Sequence, residues 1–123
     1  MGNEENFAGD IQEVELSMEQ VKESIALQAA LARLSENEDF IAVITKGFFN
    51  EEAERVVGAL ADPAMIVNEP GMKMLENIII TIGGLRQYFI KLQQQGNMSS
   101  QALEELQQTH TELLQEQMEA SES

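Results

Sequence analysis

Apolar residues recur at spacings of three and four over most of the chain, most densely in EPGMKMLENIIITIGGLRQYFIKLQQQ, residues 69–95. Leu75, Ile78, Ile79, Ile82, Leu85, Phe89 and Leu92 share one helical face at that spacing. Pro70 suits a first helical turn, where its missing N–H is not needed, and Asn68 or Glu69 can cap before it. Glu69 precedes Lys73 by four residues, the favourable order for a helix ion pair. Gly96 and Asn97 predict the end of the helix. The run Ile78–Ile82 is also compatible with a buried strand, being β-branched throughout. No second strand-like run is available to pair with it, so the segment reads as helix. Gly83 and Gly84 each cost about 1 kcal/mol relative to alanine in a helix interior. With core positions Ile82 and Leu85 on either side, the expectation is a close approach by a neighbouring helix.

The flanking segments repeat the pattern more weakly. Asp10 and Glu13 form a capping pair for a first helix running to Leu34. Ile11, Val14, Met18, Val21 and Ile25 make a coiled-coil-like seam on it, and Leu27, Leu31 and Leu34 follow. Asn37 is the predicted cap of the next helix, whose apolar face is Phe40, Val43, Ile44 and Phe48, with Gly47 marking an end or a bend. Asn50 is then read as the cap of a short helix with Val56, Val57 and Leu60 inward, ended by Asp62-Pro63. Ser99 or Ser100 caps a last helix with Leu103, Leu106, His110 and Leu113 in its seam. The predicted fold is all-α: a small helical bundle with long amphipathic N- and C-terminal helices and coiled-coil-like seams. Its organisation reads as a disordered acidic tail at 1–9, a helical core domain at 10–98 and an acidic amphipathic helix at 99–123. Phe40, Ile44, Phe48, Val57, Leu60, Leu75, Ile79, Ile82 and Phe89 are the expected buried residues.

Charge adds a second layer. The 123 residues carry a net charge of −15, and it is unevenly spread. Residues 1–39 hold −8 and residues 99–123 hold −6, while residues 63–98 hold +1. Phosphate contacts need lysine and arginine, so direct nucleic-acid binding is disfavoured and a protein partner with a basic surface is favoured. The start, MGNEENFAGD, is acidic and unlike a secretion signal, and the apolar runs are too short to span a bilayer. The expected setting is cytoplasmic, with no membrane partner.

The sequence offers little chemistry. With one histidine and no cysteine, the usual transition-metal ligand sets cannot be assembled. Glu51-Glu52 and Glu104-Glu105 are adjacent, and adjacent helical residues point apart, so neither is an acid–base dyad. His110 is read as lacking any second polar group that could orient it. No catalytic, cofactor or metal residues are therefore assigned, and the chain is read as a non-enzyme. The candidate partner-docking residues are Phe48 and Phe49, two aromatics before an acidic turn, and Leu103, Leu106, His110 and Leu113 with the neighbouring Glu112 and Glu116.

From Leu31 to Phe89 the sequence resembles a family of small acidic helical proteins encoded by tailed bacteriophages. The resemblance rests on Leu31, Leu34, Asn37, Asp39-Phe40, Gly47-Phe48-Phe49, Glu52, Arg55 and Asp62-Pro63, with an echo in Ile82-Gly83, Leu85, Tyr88 and Phe89. It implies an assembly or virion-associated role in the host cytoplasm or the virion, with no active site to carry over. The competing expectation is an acidic DNA mimic that blocks a host polymerase or nuclease. For the two acidic ends, pairing with each other, self-association and docking to a partner are all open; at least one is expected to stay exposed as a docking arm.

Overall fold

Local capping starts two of the helices where the sequence predicts, at Asn37 and Asn68. The computed structural model describes residues 3–122, with side chains from Phe7 onward, and among these residues the architecture is all-α with no strand. Helix α1 spans Asn3–Ser35. Asn37 then accepts a hydrogen bond from the Phe40 N–H at 3.0 Å and starts α2 (Glu38–Phe40). The helix continues as a π-helical segment, Ile41–Glu52, and as α3 (Ala53–Leu60). Asp62 accepts from the Ala64 N–H at 3.0 Å and caps a 3₁₀ segment, Pro63–Val67. Asn68 accepts from the Gly71 N–H at 3.1 Å, with Pro70 in the first turn, and α4 runs from Glu69 to Glu122.

Three expected boundaries are absent. Helix α1 begins at Asn3, so Asp10 lies inside it, and residues 3–9 of the expected tail are helical. The helix from Glu38 to Leu60 does not break at Gly47 or restart at Asn50. Helix α4 passes through Gly96, Asn97 and Ser99 without a stop, and no described residue has positive φ. Glycine ends a helix by turning left-handed; Gly96 keeps helical geometry, and its hydrogen in place of a Cβ serves another purpose, described below.

The chain divides into two units, one of Met1–Ala29 with Leu92–Ser123 and one of Ala30–Lys91. The first is a pair of antiparallel helices. Glu15 meets His110 and Gln28 meets Asn97, so thirteen residues forward on α1 match thirteen residues back on α4. Equal steps in opposite directions fix the register. Ile11, Val14, Met18, Val21 and Ile25 of α1, and Leu103, Leu106 and Leu113 of α4, are all half-buried.

Among the described residues the buried large apolar side chains, Leu31, Val56, Leu75 and Ile82, all lie in the second unit. Of the expected core, Leu75 and Ile82 are buried, while Phe40, Ile44, Phe48, Leu60, Ile79 and Phe89 are half-buried. Of the two valines expected to face inward, Val56 is 0% exposed and Val57 is 57% exposed, so Val57 is no part of the core.

The segment Ile41–Glu52 is wound as a π-helix. Phe40 and Phe49 both pack on Phe89, each with ring centroids 5.9 Å from it. Nine residues of α-helix make two and a half turns and would put them on opposite faces. Nine residues at about 4.4 per π-turn make two turns and put them on the same face.

Candidate functional site

Two surfaces stand out, one in each unit. In the Ala30–Lys91 unit the π-helical segment and the start of α4 border an open groove of about 850 Å3. Val43, Gly47, Phe48 and Glu52 contribute one wall. Val43 and Glu52 are nine residues apart, as Phe40 and Phe49 are, and π winding again aligns them. Gly47 has a local reason to be glycine, since a Cβ there would stand 2.8 Å from the Ala42 carbonyl oxygen. Pro70, Lys73, Met74, Asn77, Ile78 and Thr81 make the other wall. Phe48 and Ile78 are half-buried, whereas Val43 at 65% and Met74 at 61% are open to solvent.

The polar groups of the groove are mostly satisfied. Arg55 donates to both carboxylate oxygens of Glu52, at 3.1 and 2.5 Å. The hydrogen bond from Arg55, reinforced by its charge and opposed by desolvation, holds the Glu52 carboxyl below its ordinary value. The same hydrogen bond, together with the carboxylate charge, raises Arg55. Thr81 Oγ1 donates to the Asn77 carbonyl at 2.8 Å. Lys73 is different: the expected pair with Glu69 does not form, and Lys73 has no ion-pair partner among the described residues.

The two candidate phenylalanines have separate places. Phe48 lines the groove. Phe49 turns to the aromatic cluster on Phe89, with the Arg86 guanidinium 5.2 Å from its ring centroid. That geometry suits a cation–π contact. Adjacent aromatics on a wound segment face different ways, so a single docking pair was not available to them.

In the helix-pair unit, Leu103, Leu106, His110 and Leu113 belong to the half-buried seam facing α1, while Glu112 and Glu116 are exposed. The expected docking arm is therefore corrected: α1 already occupies the seam of residues 99–122, and the outward surface is the carboxylates. Exposed Leu16, Leu114 and Met118 interrupt them. Thirteen acids and the one basic residue Lys22 give this unit a net charge of −12, against −3 for the other.

The expectation that no second polar group could orient His110 is corrected by α1. The His110 Nε2 lies 3.1 Å from Glu15 Oε1, ninety-five residues away in sequence. Met18, Glu19 and Lys22 complete a small cleft of about 230 Å3 around the pair. No serine, threonine or cysteine lines that cleft to act as a nucleophile. Among the described residues no three His, Cys, Asp or Glu side chains gather as metal ligands, and no helix is long and apolar enough to cross a membrane.

The close approach expected at Gly83-Gly84 is found elsewhere. A Cβ on Gly83 or Gly84 would meet nothing within 4 Å, and both are exposed. A Cβ on Gly96 would overlap the Gln28 side chain. Gln28 donates across this crossing to the Gln93 carbonyl at 3.0 Å and to Asn97 Oδ1 at 2.7 Å. Comparison with protein-family models, with curated proteins and with solved structures finds no match for this chain.

Proposed function

We propose that this chain is a non-enzymatic interaction protein that docks a basic surface of a protein partner through the acidic helix pair. The observation that carries the reading is the segregation of charge, −12 on the helix pair and −3 on the rest. Such a field steers a basic partner and raises its rate of encounter, and exposed Leu16, Leu114 and Met118 offer apolar contacts once it arrives. Glu112 and Glu116 are the carboxylates assigned to the contact. The resemblance to small acidic phage proteins makes a phage assembly or virion-associated component the specific form of the proposal, acting in the host cytoplasm or in the virion.

The same segregation favours one second reading, an acidic DNA mimic that occupies a host polymerase or nuclease. A pull-down from phage-infected cells at low and moderate salt separates the two. Recovery of capsid, portal or tail proteins, weakened by Glu112→Lys with Glu116→Lys and by added salt, supports assembly. Recovery of DNA-binding enzymes that duplex DNA displaces supports mimicry. Turnover of a substrate that vanishes with His110→Ala would overturn both.

A further inference from the structure

We propose that the crossing of Gln28 with Gly96 is a register lock, which selects one alignment of α1 against α4 from several that the apolar seam accommodates. Half-buried residues recur on a seven-residue repeat along both helices, marked by Ile11, Met18 and Ile25 on α1 and by Ser99, Leu106 and Leu113 on α4. Gln28 continues the α1 repeat three residues past Ile25, and Gly96 continues that of α4 three residues before Ser99, so both stand in the seam. Gln28 is half-buried and Gly96 is buried. A seven-residue repeat maps onto itself when one helix slides by seven residues, about 10 Å. With Gln28 against Gly96, Val21 stands opposite Leu103 and Met18 opposite Leu106. Sliding one way sets Ile25 against Leu106 and Met18 against Leu113. Sliding the other way sets Val14 against Leu103 and Ile11 against Leu106. Large apolar side chains meet in every case, so hydrophobic burial leaves the choice open.

The polar crossing does not transfer to those alignments. The Gln28 amide donates to the Gln93 carbonyl at 3.0 Å and to Asn97 Oδ1 at 2.7 Å, so both of its protons are placed. Its side chain lies where a Cβ on residue 96 would overlap it, and glycine leaves that space free. One slide brings Gln28 against Leu103, whose side chain accepts no hydrogen bond and fills the space that glycine leaves. The other brings Gly96 against Val21 and strips Gln28 of both acceptors. An amide that loses its partners inside a seam is penalised far more than a mismatched apolar pair. A single polar residue in an apolar seam fixes register in this way, at some cost in stability. The exposed contact of Glu15 with His110 obeys the same alignment. That alignment decides which carboxylates of the two helices lie side by side on the acidic outer face.

The chain has no cysteine, so Glu23→Cys with Glu112→Cys, both exposed and off the seam, provides two sites for nitroxide labels. Pulsed electron–electron double resonance on the full chain reads their separation. The expected result is one narrow separation when Gln28 and Gly96 are intact. Gln28→Ala adds a second population, with the separation changed by up to about 10 Å, one heptad. Gly96→Ala displaces Gln28 and adds the same population. Leu106→Ala loosens the seam, spares the crossing and keeps the single separation. Gln28→Ala crowds nothing and introduces a strong helix former, so it stays folded and decides the matter by itself where Gly96→Ala does not fold; circular dichroism checks both. A single, unchanged separation in Gln28→Ala overturns the proposal and gives the alignment to the rest of the chain. A second population as large in Leu106→Ala as in Gln28→Ala also overturns it, by giving the alignment to the apolar seam.

Discussion

The helix pair and the groove unit are built from helices of similar apolar spacing, yet they handle it differently. Two antiparallel helices share a seam, and its large apolar side chains remain half-buried. The groove unit adds a second helical stretch and a 3₁₀ turn, and there Leu31, Val56, Leu75 and Ile82 become enclosed. The charge follows the same division, −12 where the seam is open and −3 where a core exists. An amphipathic pattern therefore specifies that a face is covered; the number of elements meeting there decides how completely.

That contrast predicts unequal costs of truncation. Leu75→Ala and Ile82→Ala should each destabilise by about 2–5 kcal/mol, because both side chains are enclosed and leave a cavity. Leu106→Ala, in the seam, should cost about half as much, since part of its surface already faces water. Urea unfolding of the three variants measures this. Equal losses would break the distinction between core and seam.

The glycines sharpen the comparison at the next level. Gly96→Ala should cost about 1–3 kcal/mol by forcing Gln28 out of its hydrogen bonds. Gly47→Ala should lose a similar amount by crowding the Ala42 carbonyl. Gly83→Ala and Gly84→Ala should instead stabilise by up to about 1 kcal/mol each, because a Cβ meets nothing and the helix gains propensity. Thermal unfolding gives the sign of each; a loss at Gly83 would mean that face is covered.

Salt should act mainly on the helix pair. Raising ionic strength from a few millimolar to about 0.15 M shortens the screening length to about 8 Å and relieves repulsion among its thirteen acids. Amides of 11–28 and 99–118 should gain more protection from hydrogen exchange than those of 69–82. A uniform gain would detach the salt effect from the division of charge.

The smallest effect concerns Glu52. Its folded value is depressed, so the pair with Arg55 contributes above the ordinary carboxylate range and is lost as pH falls through that lowered value. Carbon-detected titration should place Glu52 below the ordinary glutamate value, and Arg55→Ala should return it there. Arg55 is exposed and Glu52 only half-buried, so solvent screens the pair and the melting temperature should barely move.

What the sequence disclosed was local. Asn37 and Asn68 act within three residues of themselves and cap where the sequence predicts, whereas Asp62, read only as a helix end, caps the 3₁₀ segment two residues on. The seams at Ile11–Ile25 and Leu103–Leu113 were legible as three–four spacing. The π winding was not, because counting at 3.6 residues per turn assumes the very period in question. Long-range partners were hidden for another reason. Nothing near Gly96 in sequence announces Gln28, and nothing near His110 announces Glu15. For the groove, Phe48 was named from its aromatic character, whereas Lys73 was missed because its spacing to Glu69 implied a pair that does not form.

The π-helical segment also changes which mutations count as mild. In an ordinary helix a substitution is gentler than a deletion, which rotates everything downstream. Between Phe40 and Phe49 the order reverses. Removing two residues leaves seven, close to two turns of α-helix, and both rings can again face Phe89. A variant two residues shorter within 41–48 would keep the aromatic contact with conventional winding, and would lose the wide wall on which Val43 and Glu52 line up. Length variation there would reshape the groove and leave the aromatic cluster standing, so insertions and deletions in this one segment are a means of adjusting the groove.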